Sequence, residues 1–324
     1  MTARVALATC TDVHGLARDD RLLVPTLKDL GITAEPAVWD DPKVDWDAYD
    51  LTVVRSTWDN MQRSEEFLDW ADTVPRLENP APAIRWNTDR RYLLELDKAG
   101  VPVIDTIWLD PGAHLSKRAV HSRMPAFGDF VVKPVISAGP REVGRYQPVS
   151  AQSRSKAIEH TMRLLDSGRW VMIQPYVTSI DTHGEVCLTF INDEFQHAVR
   201  RKALLGGPHR KTVGLALYSN ESMTSVSVTA EQLDVARRAL AEAHRLSGVT
   251  KPFLYARVDL VTGEPSSSTK DLRLVTKEGP MVIEIEVVDP SLTMRHSGGN
   301  PTAANFAAAI ASRIGTATRP SLRA

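Results

Sequence analysis

The sequence predicts an α/β unit followed by two α+β units, and three observations carry that reading. Strand-like and helix-like segments alternate over the first 80 residues, a Pro-rich stretch interrupts them there, and the strands beyond it group in pairs around long helices. With 324 residues, 43% of them hydrophobic, the chain can fill two or three packed cores.

The elements follow in order. "RVALATC" reads as a strand, "RLLVPTLKDLG" as a helix ended by Gly31, "ITAEPAVW" and "DLTVVRST" as strands, and "SEEFLDWADTV" as a helix. This is the alternation of an open sheet with helices on its faces, and it sets a first unit at residues 1–80. The Pro-rich "LENPAPAIRWN" reads as a break, with a helix over residues 89–99 capped by Asn87 or Thr88 and closed by Gly100. A second unit, 81–178, continues with strands "VIDTIWL" and "DFVVKPV", the loop "ISAGPREVGRY", a helix around "SKAIEHTMRLLD" and the strand "WVMIQPYV". A third, 179–316, opens with "EVCLTFIND" and "EFQHAVRRKALL", which Asn192 and Asp193 join as a hairpin. Residues 206–228 read as a long loop and "TAEQLDVARRALAEAHRLSG" as a long helix. Strands "FLYARVDLV" and "DLRLVTKEGPMVIEIEVV", the second split by a turn at residues 278–280, lead to a last helix over 303–314 and a frayed tail, 317–324.

Charge excludes some functions. Lys plus Arg is 39 against 40 for Asp plus Glu, so nothing in the balance calls for nucleic acid or an anionic membrane. The first residues lack the apolar run of a secretory signal and no segment approaches the roughly 20 apolar residues of a membrane span, which makes a cytoplasmic protein the expectation. Cys10 and Cys187 fit no CxxC or Cys/His spacing and read as buried thiols.

The chemistry concentrates near the C-terminus. In "VIEIEVVDPSL", alternation places Glu284 and Glu286 on one face of a strand, where they repel unless something positive lies between them. Asp259, ending "YARVDLV", could join them from a neighbouring antiparallel strand. Three hard oxygen donors suit Mg²⁺ shared with substrate phosphates. The alternative is cross-strand pairing with Arg257, Arg200 or Arg201, and the acidic residues alone leave both open. Lys133 ends the strand in "FVVKPVISAG" before a loop of small residues, an arrangement that holds phosphate well. "LLGGPHRKT" lacks the spacing of a P-loop, although Gly206, Gly207, His209, Arg210 and Lys211 could form a basic lid. "VRSTWDN" sets Arg55, Ser56, Thr57 and Asp59 at a strand end, where open α/β sheets bind ligands. Among the histidines, which do not cluster, His296 is the one expected to touch substrate.

Taken in order, "WNTDRRYLLELDKAGVPV", "FVVKPVISAG", "VMIQPYV", "GEVCLTF", "HAVRRKALL", "YARVDLV" and "VIEIEVVDPSL" resemble the ATP-grasp superfamily over residues 80–312. The resemblance implies a three-domain fold with ATP between the central and C-terminal domains. It implies that Arg91 or its neighbour Arg90 replaces the first nucleotide lysine and that Lys133 is the second. Ser137 to Gly139 match the loop over the phosphates; Gln174, Tyr176 and Val177 match the adenine hinge, with Pro175 where many relatives carry Glu. Glu185 matches the acidic residue near the ribose, and Asp259, Glu284 and Glu286 match the Mg²⁺ ligands, with Glu286 where many members have Asn. Arg201, Lys202 and Arg257, on strands bordering that metal site, are the expected catalytic residues, and Arg55, Ser56, Thr57, Ser291 and His296 the expected substrate contacts.

Members of this superfamily typically phosphorylate a carboxylate with ATP and let an amine attack the acylphosphate, releasing ADP and phosphate. The pieces are most similar to the RimK-like branch that includes the cyclo-ligase of cycloserine biosynthesis, which implies ring closure of O-ureido-D-serine. Intermolecular amino-acid or peptide ligation and an inactive ATP-binding regulatory module are the rival readings. The expected partner is a small amino-acid substrate, with homo-oligomerisation left open.

Overall fold

The computed structural model describes residues 2–137, 142–202, 223–263, 277–299 and 301–316. Three sheets organise them. The first is parallel, in the order β2-β1-β3-β4, from β1 (Ala3–Thr9), β2 (Ile32–Val38), β3 (Leu51–Ser56) and β4 (Leu77–Glu78). Helix α1 (Leu23–Asp29) packs Leu23 and Leu27 on one face, and α2 (Ser64–Thr73) packs Phe67 and Ala71 on the other. Every residue of β3 is therefore buried, which explains its continuous apolar run.

Between the first and second sheets the expected break is a helix. α3 (Ala81–Thr88) starts directly after Pro80 with Pro82 in its first turn, where a missing N–H costs nothing. Asn87 and Thr88 are thus helical rather than caps, and the following α4 (Tyr92–Lys98) is shorter than expected. The second sheet, in the order β5-β8-β6-β7, is antiparallel and comprises β5 (Ile107–Leu109), β6 (Phe130–Pro134), β7 (Gly144–Tyr146) and β8 (Val171–Pro175). β7 lies within the segment expected to be loop. Helices α5 (Lys117–Arg123) and α6 (Ala151–Asp166) cover this sheet through Val120, Ala157 and Leu164.

After the short α7 (Ser179–His183) comes the third sheet, antiparallel in the order β11-β10-β9-β12-β13. Its strands are β9 (Glu185–Ile191), β10 (Glu194–Arg201), β11 (Met223–Val226), β12 (Tyr255–Gly263) and β13 (Gly279–Glu286). The β9–β10 turn is the expected hairpin: Asn192 and Asp193 both have positive φ, 55° and 63°. β11 occupies part of the expected long loop; residues 206–222 of that loop, including the proposed lid residues, lie outside the described residues, as do Gly139 and the tail. Helix α8 (Ala230–Ser247) starts with a capping box between Thr229 and Gln232 and stops at Gly248 in the left-handed region.

Alternation divides the third sheet's side chains. Val186, Leu188, Val258, Leu260, Ile285 and Val287 face α8, where they meet Val235, Ala239 and Leu240. Glu185, Cys187, Arg201, Arg257, Glu284 and Glu286 face the opposite way, toward the other sheets. The last helix, α9 (Thr302–Thr316), returns to the first sheet, placing Phe306 and Ile310 in the cluster of Leu23, Leu27 and Tyr255.

Candidate active site

The polar face of the third sheet floors a cavity of about 1010 Å³ walled by the second sheet and by the segments that follow β1 and β3 of the first. Antiparallel register pairs the charges: Arg201 lies opposite Glu185, Arg257 opposite Glu286, and Asp259 opposite Glu284. Carboxylate oxygens of Asp259, Glu284 and Glu286 fall within 4.8 Å of one another.

Something positive does lie among them, and in this structure it is arginine. Arg257 donates to both oxygens of Asp259 at 2.8 Å and to Glu286 at 2.7 Å, while Arg201 reaches Asp259 at 3.2 Å and Glu185 at 2.6 Å. Arg90 Nε donates to Glu284 at 2.9 Å, and its Nη1 donates to the carbonyl and hydroxyl of Ser137. With Lys133, four cations face the four carboxylates Glu185, Asp259, Glu284 and Glu286. The ion-pair alternative therefore holds through Arg257 and Arg201, whereas Arg200 is exposed.

Electrostatics follow from this crowding. Burial would raise Asp259 and Glu284, but Arg257 and Arg201 hold Asp259 below the usual carboxylate range and Arg90 does the same for Glu284. Burial, reinforced by the charges of Glu284 and Asp259, outweighs Arg257 at Glu286 and pushes it up to about 8. Burial and the neighbouring Arg90 lower Lys133 to about 8. The donor set fits Mg²⁺, which takes carboxylate oxygens and keeps part of its water shell. Asp259 lies fully buried beneath Arg257, so a cation reaching all three carboxylates would displace guanidinium contacts.

Several expected residues take their places around the cavity. Lys133, Ser137, Gln174, Tyr176, Val177, Glu185, Arg201, Arg257, Glu284, Glu286, Ser291 and His296 all line it, and Gln174 is oriented by a bond to Thr106 at 2.8 Å. Others do not. Arg91 points away, pairing with Asp89 and covering the Trp170 ring, whereas Arg90, in the same turn between α3 and α4, is the one of the two that lines the cavity. Lys202 follows the end of β10 and is exposed outside the cavity.

Arg55, Ser56 and Thr57 are buried behind the wall rather than lining it. Arg55 holds Asp20 and the Pro290 carbonyl, Ser56 donates to Asp20, and Thr57 donates to Asp289. A fully buried guanidinium needs those partners, and they fix the segment after β13 against the first sheet.

The sequence reading missed the wall opposite. Residues of the β1–α1 segment, including His14, Arg18 and Asp19, line the cavity together with Trp58, Asn60, Asp289 and Arg295. Asp19 caps the backbone amides of Met294 and Arg295 at 3.0 and 2.9 Å. No local motif announces these residues; the parallel sheet's strand ends were the available signal.

Comparison with known proteins agrees with this architecture. Residues 5–79 match the family described as D-cycloserine synthetase DcsG, N-terminal domain. The chain is 36% identical over 318 residues to the cycloserine biosynthesis protein DcsG of Streptomyces lavendulae, covering 95% of this chain and 98% of that one. The crystal structure of D-cycloserine synthetase DcsG superposes with a TM-score of 0.80 at 35% identity, covering 96% of this chain and 100% of the other. The ATP-grasp ligase PsnB, solved with minimal precursor, Mg and ADP, gives a TM-score of 0.57 at 17% identity over 97% of this chain and 99% of its own. Among the described residues no helix is long and apolar enough to cross a membrane.

Proposed function

The chain belongs to the D-cycloserine synthetase family of ATP-grasp ligases, and from that premise we propose that it activates the carboxylate of O-ureido-D-serine with ATP and closes the ring to D-cycloserine. The observation that carries this reading is the carboxylate trio set among Arg90, Lys133, Arg201 and Arg257 at the floor of one cavity.

Asp259, Glu284 and Glu286 would hold Mg²⁺, which when bound would offset charge on the phosphates. Lys133 and Arg90, at the cavity edge between the second and third sheets, would take phosphate oxygens. The β8 end, Gln174 to Val177, would hold the adenine. Arg201 and Arg257, released from Asp259, would face the transferring phosphoryl group and the substrate carboxylate. Such preorganised cations stabilise charge that develops in phosphoryl transfer, and the enclosing walls keep water from the acylphosphate. The ureido nitrogen bonded to oxygen then attacks the activated carbonyl and phosphate leaves, and hydrolysis releases the carbamoyl group as carbon dioxide and ammonia to give D-cycloserine.

The test is ADP and phosphate release with Mg·ATP across amino-acid carboxylates, with mass analysis of each positive. Release with O-ureido-D-serine alone and a cyclised product of lower mass is the expected result. A requirement for a separate amine would make the enzyme an intermolecular ligase. Glu284→Gln, with an unchanged circular dichroism spectrum, should abolish ADP formation; full turnover in that variant would remove the trio from the reaction.

A further inference from the structure

The carboxylates that line the cavity differ in how their charge is balanced. Glu185, Glu284 and Glu286 each contact a guanidinium, and Asp19 receives two backbone amides. Asp289 is the exception. It is held by neutral donors, the Thr57 hydroxyl at 3.0 Å and the Asn60 side chain, which itself donates to Thr57 at 3.3 Å.

No described cationic side chain forms an ion pair with it. Arg55 favours its charged form through space, but that guanidinium is committed to Asp20 at 2.8 Å and to the Pro290 carbonyl at 2.7 Å, and Asp20 works against it at Asp289. Burial pushes Asp289 up to about 6, so at neutral pH the charged form stands in an environment that resists it. A carboxylate oriented into a cavity and lacking a protein counter-charge is arranged to receive a cation from the ligand.

We propose that Asp289, positioned by Thr57 and Asn60, receives the α-ammonium of the substrate and so selects amino acids over carboxylic acids that lack the amine. The inference rests on the amino-acid ligase reading above and adds the recognition of a group that takes no part in the bond made. Asp289 follows Glu286 by three residues, at most about 10 Å of extended chain. An α-amino acid carries its carboxylate and ammonium on one carbon, so recognition of both requires two sites on neighbouring parts of one wall, and the short Glu286–Asp289 segment allows that. Asp289 would be a binding residue, with Thr57 and Asn60 as positioning residues.

The test compares O-ureido-D-serine with its desamino analogue, 3-(ureidooxy)propanoate, by calorimetric binding and by ADP release. Wild type should prefer the amine by tenfold or more. Asp289→Asn, which keeps the shape and an oxygen acceptor, should remove most of that preference while leaving the KM for ATP unchanged. Thr57→Val, which leaves the carboxylate but loosens it, should show the same split at smaller size and serves if the first variant fails to fold. An undiminished preference in a folded Asp289→Asn protein, or none in wild type that turns over both compounds, overturns this assignment and leaves the ligase reading standing. If wild type neither binds nor turns over either compound, the amino-acid ligase reading fails, and the ammonium site with it.

Discussion

Replacing Arg257 with Met would separate the two ways the acidic face can be neutralised. The guanidinium makes two bonds of 2.8 Å to Asp259, one of 2.7 Å to Glu286 and one of 3.1 Å to the Ser291 carbonyl. Arg257 is 5% exposed and Asp259 not at all, so the variant leaves a fully buried carboxylate with Arg201 at 3.2 Å as its remaining guanidinium partner. Breaking a buried pair from one side costs about 3–5 kcal/mol. Urea unfolding without nucleotide should show a loss of that size. If the trio accepts a divalent ion, Mg²⁺ should now repair what arginine did. At about 10 mM, with a dissociation constant of about 0.1–1 mM, mass action returns roughly 1.4–2.7 kcal/mol. Wild type should gain less, since its cation competes for the same oxygens. Equal stabilisation of both proteins by Mg²⁺, or a variant as stable as wild type, would refute the competition.

Two further predictions follow from neighbouring residues. Arg91→Ala should leave the KM for ATP within about twofold, whereas Arg90→Ala should raise it at least about tenfold, since charge-assisted bonds are worth about 1.5–3 kcal/mol; the reverse order would restore Arg91 to the phosphate site. Lys133, lowered to about 8 by burial and by Arg90, is charged below that pH and neutral above it, so ATP affinity should fall as pH rises from 7 to 9. Lys133→Arg should flatten the profile, and an unchanged slope there would assign the titration to another group. The same depression works against the fold while Lys133 is charged, and that cost should fade between about pH 8 and the 10.5 of a free lysine.

What could be read from the sequence was local. The hairpin at Asn192–Asp193 and the capped helix from Thr229 depend on neighbours within a few residues, and the trio depends on period-two alternation plus one strand pairing. α3 was hidden because Pro80 and Pro82 look like a break when one of them in fact opens a helix. Arg90 and Arg91 share the turn between α3 and α4, and which of them enters the cavity depends on Glu284 and Ser137, partners that only the tertiary fold brings there. The inward turn of Arg55 depends on Asp20 and on Pro290, 235 residues away, and the wall formed by residues 13–19 depends on Asp19 meeting the backbone at 294 and 295. Contacts of that separation leave no trace in a local pattern.

The outer edge of the third sheet has one more consequence. Along β13 and the residues after it, Val282 N–H goes to Pro102, Ile285 N–H and C=O meet the Tyr92 hydroxyl, Asn87 bridges Ile285 C=O to Val287 N–H, and Asn79 takes Val287 C=O. An edge strand ordinarily offers those groups as a template on which an extended peptide can add itself. Here side chains from α3, α4 and the turn before them, together with the Pro102 carbonyl, have already filled the template. A polypeptide therefore cannot be threaded beside Glu284 and Glu286 by main-chain pairing on that side. Whatever is brought to these carboxylates must be recognised by its own charged and polar groups, a demand that a compact zwitterion meets better than a chain.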